Sequence, residues 1–229
     1  MIEHLACIMD GNRRWAKKKG WMPWYGHKEG IEAAKRVIQF CIKKNIPYLS
    51  LYTFSIDNFK RPADEIKYLF NNIVKEASSI IKEFKENGVR ARFIGDRSWF
   101  PESIQSTCDE IEQETVDCST LHLNLLFCYG ARQEIVNAVK TIIEEIKQGK
   151  RTDKDLTPDL FSCYLWTADM PDPDLIIRTG GVKRLSNFLL YQAAYSELYF
   201  LDCLWPDITE SHLEKAVSFF YQSKRNFGT

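Results

Sequence analysis

Apolar and polar positions alternate along the chain in two distinct rhythms. Short, nearly continuous apolar runs at 5–9, 48–54, 90–94, 121–129, 175–178 and 198–201 read as buried strands. Between them, apolar residues recur at spacings of three and four over 28–44, 63–87, 102–116, 132–148, 158–166 and 210–225, the rhythm of amphipathic helices. The stops agree with that division: Gly88 follows the second helix, Gly149 the fourth, and Thr157-Pro158 suits the cap and first turn of the fifth. Strands alternating with helices predict an α/β fold with a mostly parallel central sheet of about six strands, flanked by helices on both faces. No linker, repeat or low-complexity stretch interrupts the pattern, so a single domain over 1–229 is expected.

The second helix carries the broadest stripe, from Ile66 and Leu69 through Phe70, Ile73 and Ala77 to Ile81 and Phe84. Ordinary core packing explains such a stripe. In an open α/β sheet, ligands bind beyond the carboxyl ends of the strands. Polar clusters stand at those ends: Asp10-Gly11-Asn12 after the first strand, Ser55-Ile56-Asp57-Asn58 after the second, and Arg178-Thr179-Gly180-Gly181 after a late one.

Composition narrows what those clusters can bind. Hydrophobic residues make up 45% of the 229, enough for a core, while Lys plus Arg and Asp plus Glu cancel at 31 each. With no net field to draw nucleic acid, none is expected as a partner, and an anion site must come from a local group of cations. Seven scattered cysteines without a C-x-x-C pair read as reduced thiols. No apolar run approaches the ~18 residues of a membrane span, and Met1 to His4 lacks the basic start of a signal peptide. A cytoplasmic location follows, with peripheral contact at a membrane surface still open to it.

At Met9-Asp10-Gly11-Asn12 a strand runs into Arg13-Arg14-Trp15-Ala16, a junction that aims backbone N–H groups at one spot. Arg14 adds a fork suited to phosphate oxygens, and Asp10 beside an anion site suggests a bridging Mg²⁺. Taken alone, the tripeptide is equally a tight turn. The second cluster delivers Arg178 into a Gly-Gly loop, with Arg184 and Ser186 six and eight residues on, a diphosphate clamp or a solvated loop. Asp172-Pro173-Asp174 is better read as a stiff turn than as a metal pair. The stretch from Phe54 to Pro62 mixes Ser55, Asn58 and Arg61 with Phe54 and Phe59, as a substrate with an apolar tail and a charged head requires. His27 could meet phosphate or cap a helix. No Ser or Cys stands in a recognisable catalytic triad.

In this order the segments resemble the cis-prenyltransferases. The matching text runs from His4 to Ala16, then Gly26-His27, Leu51 to Ser55, Asn58 to Pro62, Ile94 to Asp96 and Ile177 to Gly181. It continues with Arg184 to Leu190, Ala194 to Phe200 and Trp205 to Asp207. The resemblance implies condensation of isopentenyl diphosphate with an allylic diphosphate such as farnesyl diphosphate, giving a cis-polyprenyl diphosphate, here undecaprenyl diphosphate for a cell-wall carrier lipid. It implies Mg²⁺ held by Asp10 and Glu197, catalytic roles for Asp10, Asn12 and Asn58, and an allylic diphosphate pocket of Gly11, Asn12, Arg14 and His27 with Arg13 and Trp15 beside it. Arg178, Arg184 and Ser186 would clamp isopentenyl diphosphate, with Phe54, Ser55, Phe59 and Arg61 between the two. It further implies a homodimer, a product tunnel under the long apolar helix, and membrane contact for product release. The sequence departs from the family at Val182, where Glu is usual, at Pro23, where Arg is usual, and at Arg225-Asn226-Phe227-Gly228, where Arg-x-Gly is common. Bulky Leu126 and Phe127 stand where smaller residues are common, which leaves product length open. These departures also raise the alternative of a non-catalytic partner subunit.

Overall fold

The computed structural model describes residues 1–223. Six strands, β1 His4–Ile8, β2 Tyr48–Ser55, β3 Val89–Ile94, β4 Leu121–Tyr129, β5 Leu175–Arg178 and β6 Glu197–Phe200, form one sheet in the order β3-β4-β2-β1-β5-β6. Every pairing is parallel. The helices are α1 Asn12–Lys18, α2 Tyr25–Lys44, α3 Ala63–Glu86, α4 Glu102–Glu114, α5 Ala131–Lys147, α6 Pro158–Ser162 and α7 Glu210–Gln222. The predicted extension of the last helix to Arg225, and the 225–228 run, lie outside the described residues.

Strand β1 is buried along its whole length, as expected for a central strand covered on both faces. On one side the core gathers β1, β2 and β5 residues with Val37, Phe40 and Cys41 of α2 and Leu213, Ala216 and Phe220 of α7. The opposite face closes over Ile8, Leu126, Tyr129 and Phe188. A third, aromatic core lies between β2, β3, β4, α3 and α4. Phe127 sits at its centre, with ring centroids 5.0 Å from Phe100, 5.4 Å from Phe70 and 5.6 Å from Phe54. Cys128 takes φ 49°, breaking the strand alternation so that it joins Phe127 in the same core.

Three elements differ from the sequence reading. Helix α2 starts at Tyr25 rather than 28, because the chain must already be helical where Gly26 presses on α1; a Cβ there would lie 2.0 Å from Asn12 O. Helix α6 ends at Ser162 instead of running to 166. Beyond it, the buried Glu134 carboxylate accepts from Thr167 N (3.2 Å) and Oγ1 (3.0 Å), taking an N–H that a longer helix would use. Along α3, Phe70 and Ala77 are buried, but most of the predicted stripe is only half-covered and Val74 is 40% exposed. The helix packs on α4 and β3 and leaves the rest of its apolar face thinly roofed.

Candidate active site

The strand order reverses at β1: chain progression moves outward through β2 on one side, and β5 enters on the other. A crevice opens at the carboxyl ends of strands at such a switch point. Residue Ile8 of β1 is level with Arg178 of β5, so Asp10, just past β1, meets Arg178 at the mouth. Asp10 Oδ2 accepts from Arg178 Nη2 (3.0 Å) and Oδ1 from Arg14 Nη2 (3.1 Å). Arg14 Nη1 also donates to Gly180 O at 2.8 Å. Gly180 is required there: its φ is +89°, and a Cβ would fall 2.2 Å from Arg14 Nη2.

Arg178, almost wholly buried, reaches on to Ser186 Oγ (2.8 Å) and the Arg184 carbonyl, while Arg184 Nε donates to the same hydroxyl at 3.2 Å. Ser186 and Asn187 adopt φ 53° and 66°, a left-handed pair that folds the loop back over the strand end. Departure Val182 sits half-buried in this loop.

The crevice has a volume of about 640 Å³. Of the residues expected at the site, it brings together Asp10, Gly11, Asn12, Arg13, Arg14 and His27, and across from them Ser55, Asn58, Arg61, Arg178 and Arg184. Asn58 Oδ1 accepts from Ser55 N at 3.1 Å, a reciprocal cap that fixes the turn after β2. Asp10 is the one carboxylate among the described lining residues, against five arginines and Lys17. Such a surplus of cations fits a polyanion, and forked guanidiniums fit phosphate oxygens in particular.

Other expected residues lie elsewhere. Trp15 turns away, its Nε1 donating to Asp207 Oδ1 at 2.7 Å. Phe54 and Phe59 belong to the aromatic core behind Ser55, 5.1 Å apart between ring centroids. Ser186 is not among the lining residues; its hydroxyl joins the two arginines that are. Glu197 begins β6, level with Leu175, whereas Asp10 lies beyond the level of Arg178 and Phe200. The two acids therefore stand toward opposite ends of the sheet and share no site within the chain.

The sequence reading missed Glu65. It is 2% exposed, in the first turn of α3, with Oε2 3.5 Å from Arg13 and Oε1 3.4 Å from Arg61 and 3.7 Å from His27 Nε2. The Arg61-to-Glu65 spacing of four at a helix start was the available signal. Burial, then the nearby Arg61 and Arg13 charges, lower the His27 pKa to about 4, so the ring is neutral at pH 7. Arg61 is itself lowered by burial, with Glu65 opposing. Tyr52, at the crevice wall, is raised by burial.

For Mg²⁺ the donor set is narrow. No group of three or more His, Cys, Asp or Glu among the described residues could enclose a metal. Asp10 alone fits an ion that takes one or two carboxylates and completes its octahedron with phosphate oxygens and water. No described helix is long and apolar enough to cross a membrane.

Residues 8–228 match the family model described as putative undecaprenyl diphosphate synthase. The chain is 44% identical to the isoprenyl transferase of Clostridium perfringens, covering 100% of this chain and 90% of that one. The chain belongs to the cis-prenyltransferase family. A family member from Pyrococcus abyssi, a tritrans,polycis-undecaprenyl-diphosphate synthase specific for geranylgeranyl diphosphate, is 40% identical over 99% of this chain and 86% of its own. Among solved structures, lavandulyl diphosphate synthase from Lavandula x intermedia, in complex with dimethylallyl diphosphate, superposes with a TM-score of 0.95 at 31% identity, covering 100% and 98% of the two chains. A probable undecaprenyl diphosphate synthase from Campylobacter jejuni gives 0.82 at 34% identity, covering 100% and 99%. The all-parallel sheet flanked by helices is the fold of these cis-prenyltransferases.

Proposed function

We propose that this prenyltransferase condenses isopentenyl diphosphate with an allylic diphosphate such as farnesyl diphosphate, in a Mg²⁺-dependent reaction, to build a cis-polyprenyl diphosphate, with undecaprenyl diphosphate for a cell-wall carrier lipid as the product favoured by the relatives' names. The observation that carries the reading is the crevice at the switch point, where one carboxylate faces six cations. Dimethylallyl diphosphate in the lavandulyl diphosphate synthase complex, an allylic diphosphate, supports the substrate class.

The chemistry follows from the residue types. As the allylic C–O bond breaks, negative charge builds on the leaving diphosphate, and the alkene of isopentenyl diphosphate closes the new C–C bond. Mg²⁺ held at Asp10 would supply Lewis-acid stabilisation of that leaving group. Arg14 and Arg178, already oriented by Asp10, Gly180 and Ser186, offer preformed donors to the two diphosphates. His27, neutral, serves as a hydrogen-bond donor rather than a second charge. Asn12 lines the same wall, and either its side chain or a phosphate oxygen would take the proton lost as the new double bond forms. The alkene is its own nucleophile, so no activated Ser or Cys is needed.

The growing tail would leave the crevice past Phe54 and run under the thinly covered face of α3. A homodimer is part of the reading: α5 buries Ala131, Glu134, Ala138 and Ile142 and presents Val136, Val139 and Ile143, 41–52% exposed, on its other side. The retained Asp10 argues against the role of a non-catalytic partner subunit. Purified protein incubated with farnesyl diphosphate, labelled isopentenyl diphosphate and Mg²⁺ should yield extractable labelled lipid, whose mass gives the chain length. Absence of labelled lipid from folded protein at adequate Mg²⁺ would overturn the reading.

A further inference from the structure

The connection between α1 and α2 has a composition that neither the core nor the crevice explains. Beyond the crevice cations, residues 18–28 hold Lys18, Lys19 and Lys28 and no carboxylate, in a chain whose net charge is zero. Within 15–24 stand three of the chain's six tryptophans, Trp15, Trp21 and Trp24, followed by Tyr25. Trp21 is 49%, Met22 50% and Tyr25 48% exposed, and Lys17, Lys18 and Lys19 are exposed beside them. Single exposed apolar residues are ordinary; several large ones side by side mark an interaction surface.

We propose that this segment is a docking surface for an anionic lipid bilayer. The rings form two groups along the segment: Trp15 and Trp21 lie 5.7 Å apart between centroids, and Tyr68 of α3 lies 6.3 Å from Trp24 and 6.1 Å from Tyr25. Lys19 Nζ stands 5.5 Å over the Trp15 ring. Amphipathic Trp and Tyr rings belong at the headgroup level of a bilayer, and neighbouring lysines meet anionic lipid phosphates there.

Two other partners fit less well. Lysine is depleted at protein–protein interfaces, whereas three consecutive lysines edge this patch. Single-stranded nucleic acid needs ring faces open to successive bases. Here the rings pack on one another, at interplanar angles of 72° for Trp15–Trp21 and 74° for Tyr25–Tyr68. The patch also borders the crevice, since Lys17 and Pro23 belong to both. It rests on the proposed function only for its consequence, that an apolar product would be delivered where the bilayer lies.

Co-sedimentation of the full chain with vesicles tests the proposal. Wild type should pellet with vesicles of equal parts phosphatidylcholine and phosphatidylglycerol, not with phosphatidylcholine alone, and added salt should release it. Its tryptophan emission should shift to the blue on binding. The double variant Trp21→Ser/Met22→Ser should bind at least about five-fold more weakly, and Lys18→Glu/Lys19→Glu should abolish the preference for anionic lipid. Equal pelleting of wild type and both variants, or no pelleting of wild type with anionic vesicles, would overturn the proposal. Binding to both vesicle types alike would overturn the anionic assignment. If the apolar variant fails to fold, the lysine variant carries the test. All four positions lie outside the crevice lining, so turnover of soluble substrates should be unchanged in both variants. Loss of vesicle binding with turnover intact therefore separates this surface from the proposed chemistry, and a wild type that binds vesicles but makes no product would defeat only the latter.

Discussion

Asp10 shows how little a residue type says without its neighbours. A carboxylate at an anion site is repulsive by itself, yet here Arg14 and Arg178 each take one of its oxygens and are oriented by it. Asp10→Ala should lower turnover by at least about 100-fold, while metal-free pyrophosphate binds as well or more tightly, because the one carboxylate in the crevice is gone. Steady-state kinetics and calorimetry on the variant check both halves, and retained turnover would refute the metal role. His4 makes a different residue-scale point. It is fully buried in β1, its Nδ1 2.7 Å from Pro171 O and its Nε2 2.8 Å from Ser50 Oγ, which suits a neutral ring that donates to the carbonyl and accepts from the hydroxyl. Burial lowers its pKa from 6.5 to about 4. The folded state thus resists a proton that the unfolded chain accepts, so this contribution is complete above pH 6.5 and is lost as pH falls toward 4. The loss should reach about 3 kcal/mol, with His27 adding in the same direction. Urea midpoints between pH 7 and 4.5 should fall, and His4→Gln should flatten the trend.

Helices α1 and α2 position the first half of the site by approaching closer than side chains permit. Gly26 faces Asn12 O, and at Gly30 a Cβ would stand 2.7 Å from Asn12 Oδ1. Gly26→Ala must push α1 away, costing about 1–3 kcal/mol and raising KM for the allylic diphosphate as Asn12 and Arg14 shift; thermal melts and kinetics measure the two effects. Had the helices room to spare, neither would change. The aromatic core under α3 is the corresponding feature for the apolar tail. Phe127→Ala would remove the central ring and should destabilise by about 3–5 kcal/mol. It should also lengthen the product seen by mass spectrometry, since the emptied volume adjoins Phe54, which packs behind Ser55 of the crevice wall. An unchanged product would place the tail elsewhere. The stripe on α3 was legible as a helix from its spacing, but not how much of it would be covered. Coverage depends on α4 and β3, which the spacing of one helix does not encode.

At the scale of the whole molecule, the exposed stripe on α5 predicts an assembly. Sedimentation should give twice 26.8 kDa, and Val139→Arg/Ile143→Arg should give the monomer mass; a monomeric wild type would remove the dimer from the reading. The same scale divides what was legible from what was not. Nearly continuous apolar runs located all six strands and three-to-four spacing the helices between them, and their alternation fixed the parallel α/β class, because burial on one face or both is written locally in which positions are apolar. The ordered motifs identified the family for the same reason, each being a short stretch of chain. Glu65 was not legible as a site residue, for it stands in a helix of ordinary charged residues and becomes central only when α3 brings it against Arg13, Arg61 and His27. Glu197 shows the reverse, a residue matched by motif that the sheet register places toward the far end from Asp10. By itself the sequence determined the elements, the fold class and the chemical vocabulary of the site. Which groups meet was decided only in three dimensions. The strand order β3-β4-β2-β1-β5-β6 sets β1 beside β5, and that adjacency closes the 168-position separation of Asp10 and Arg178 to a 3.0 Å contact.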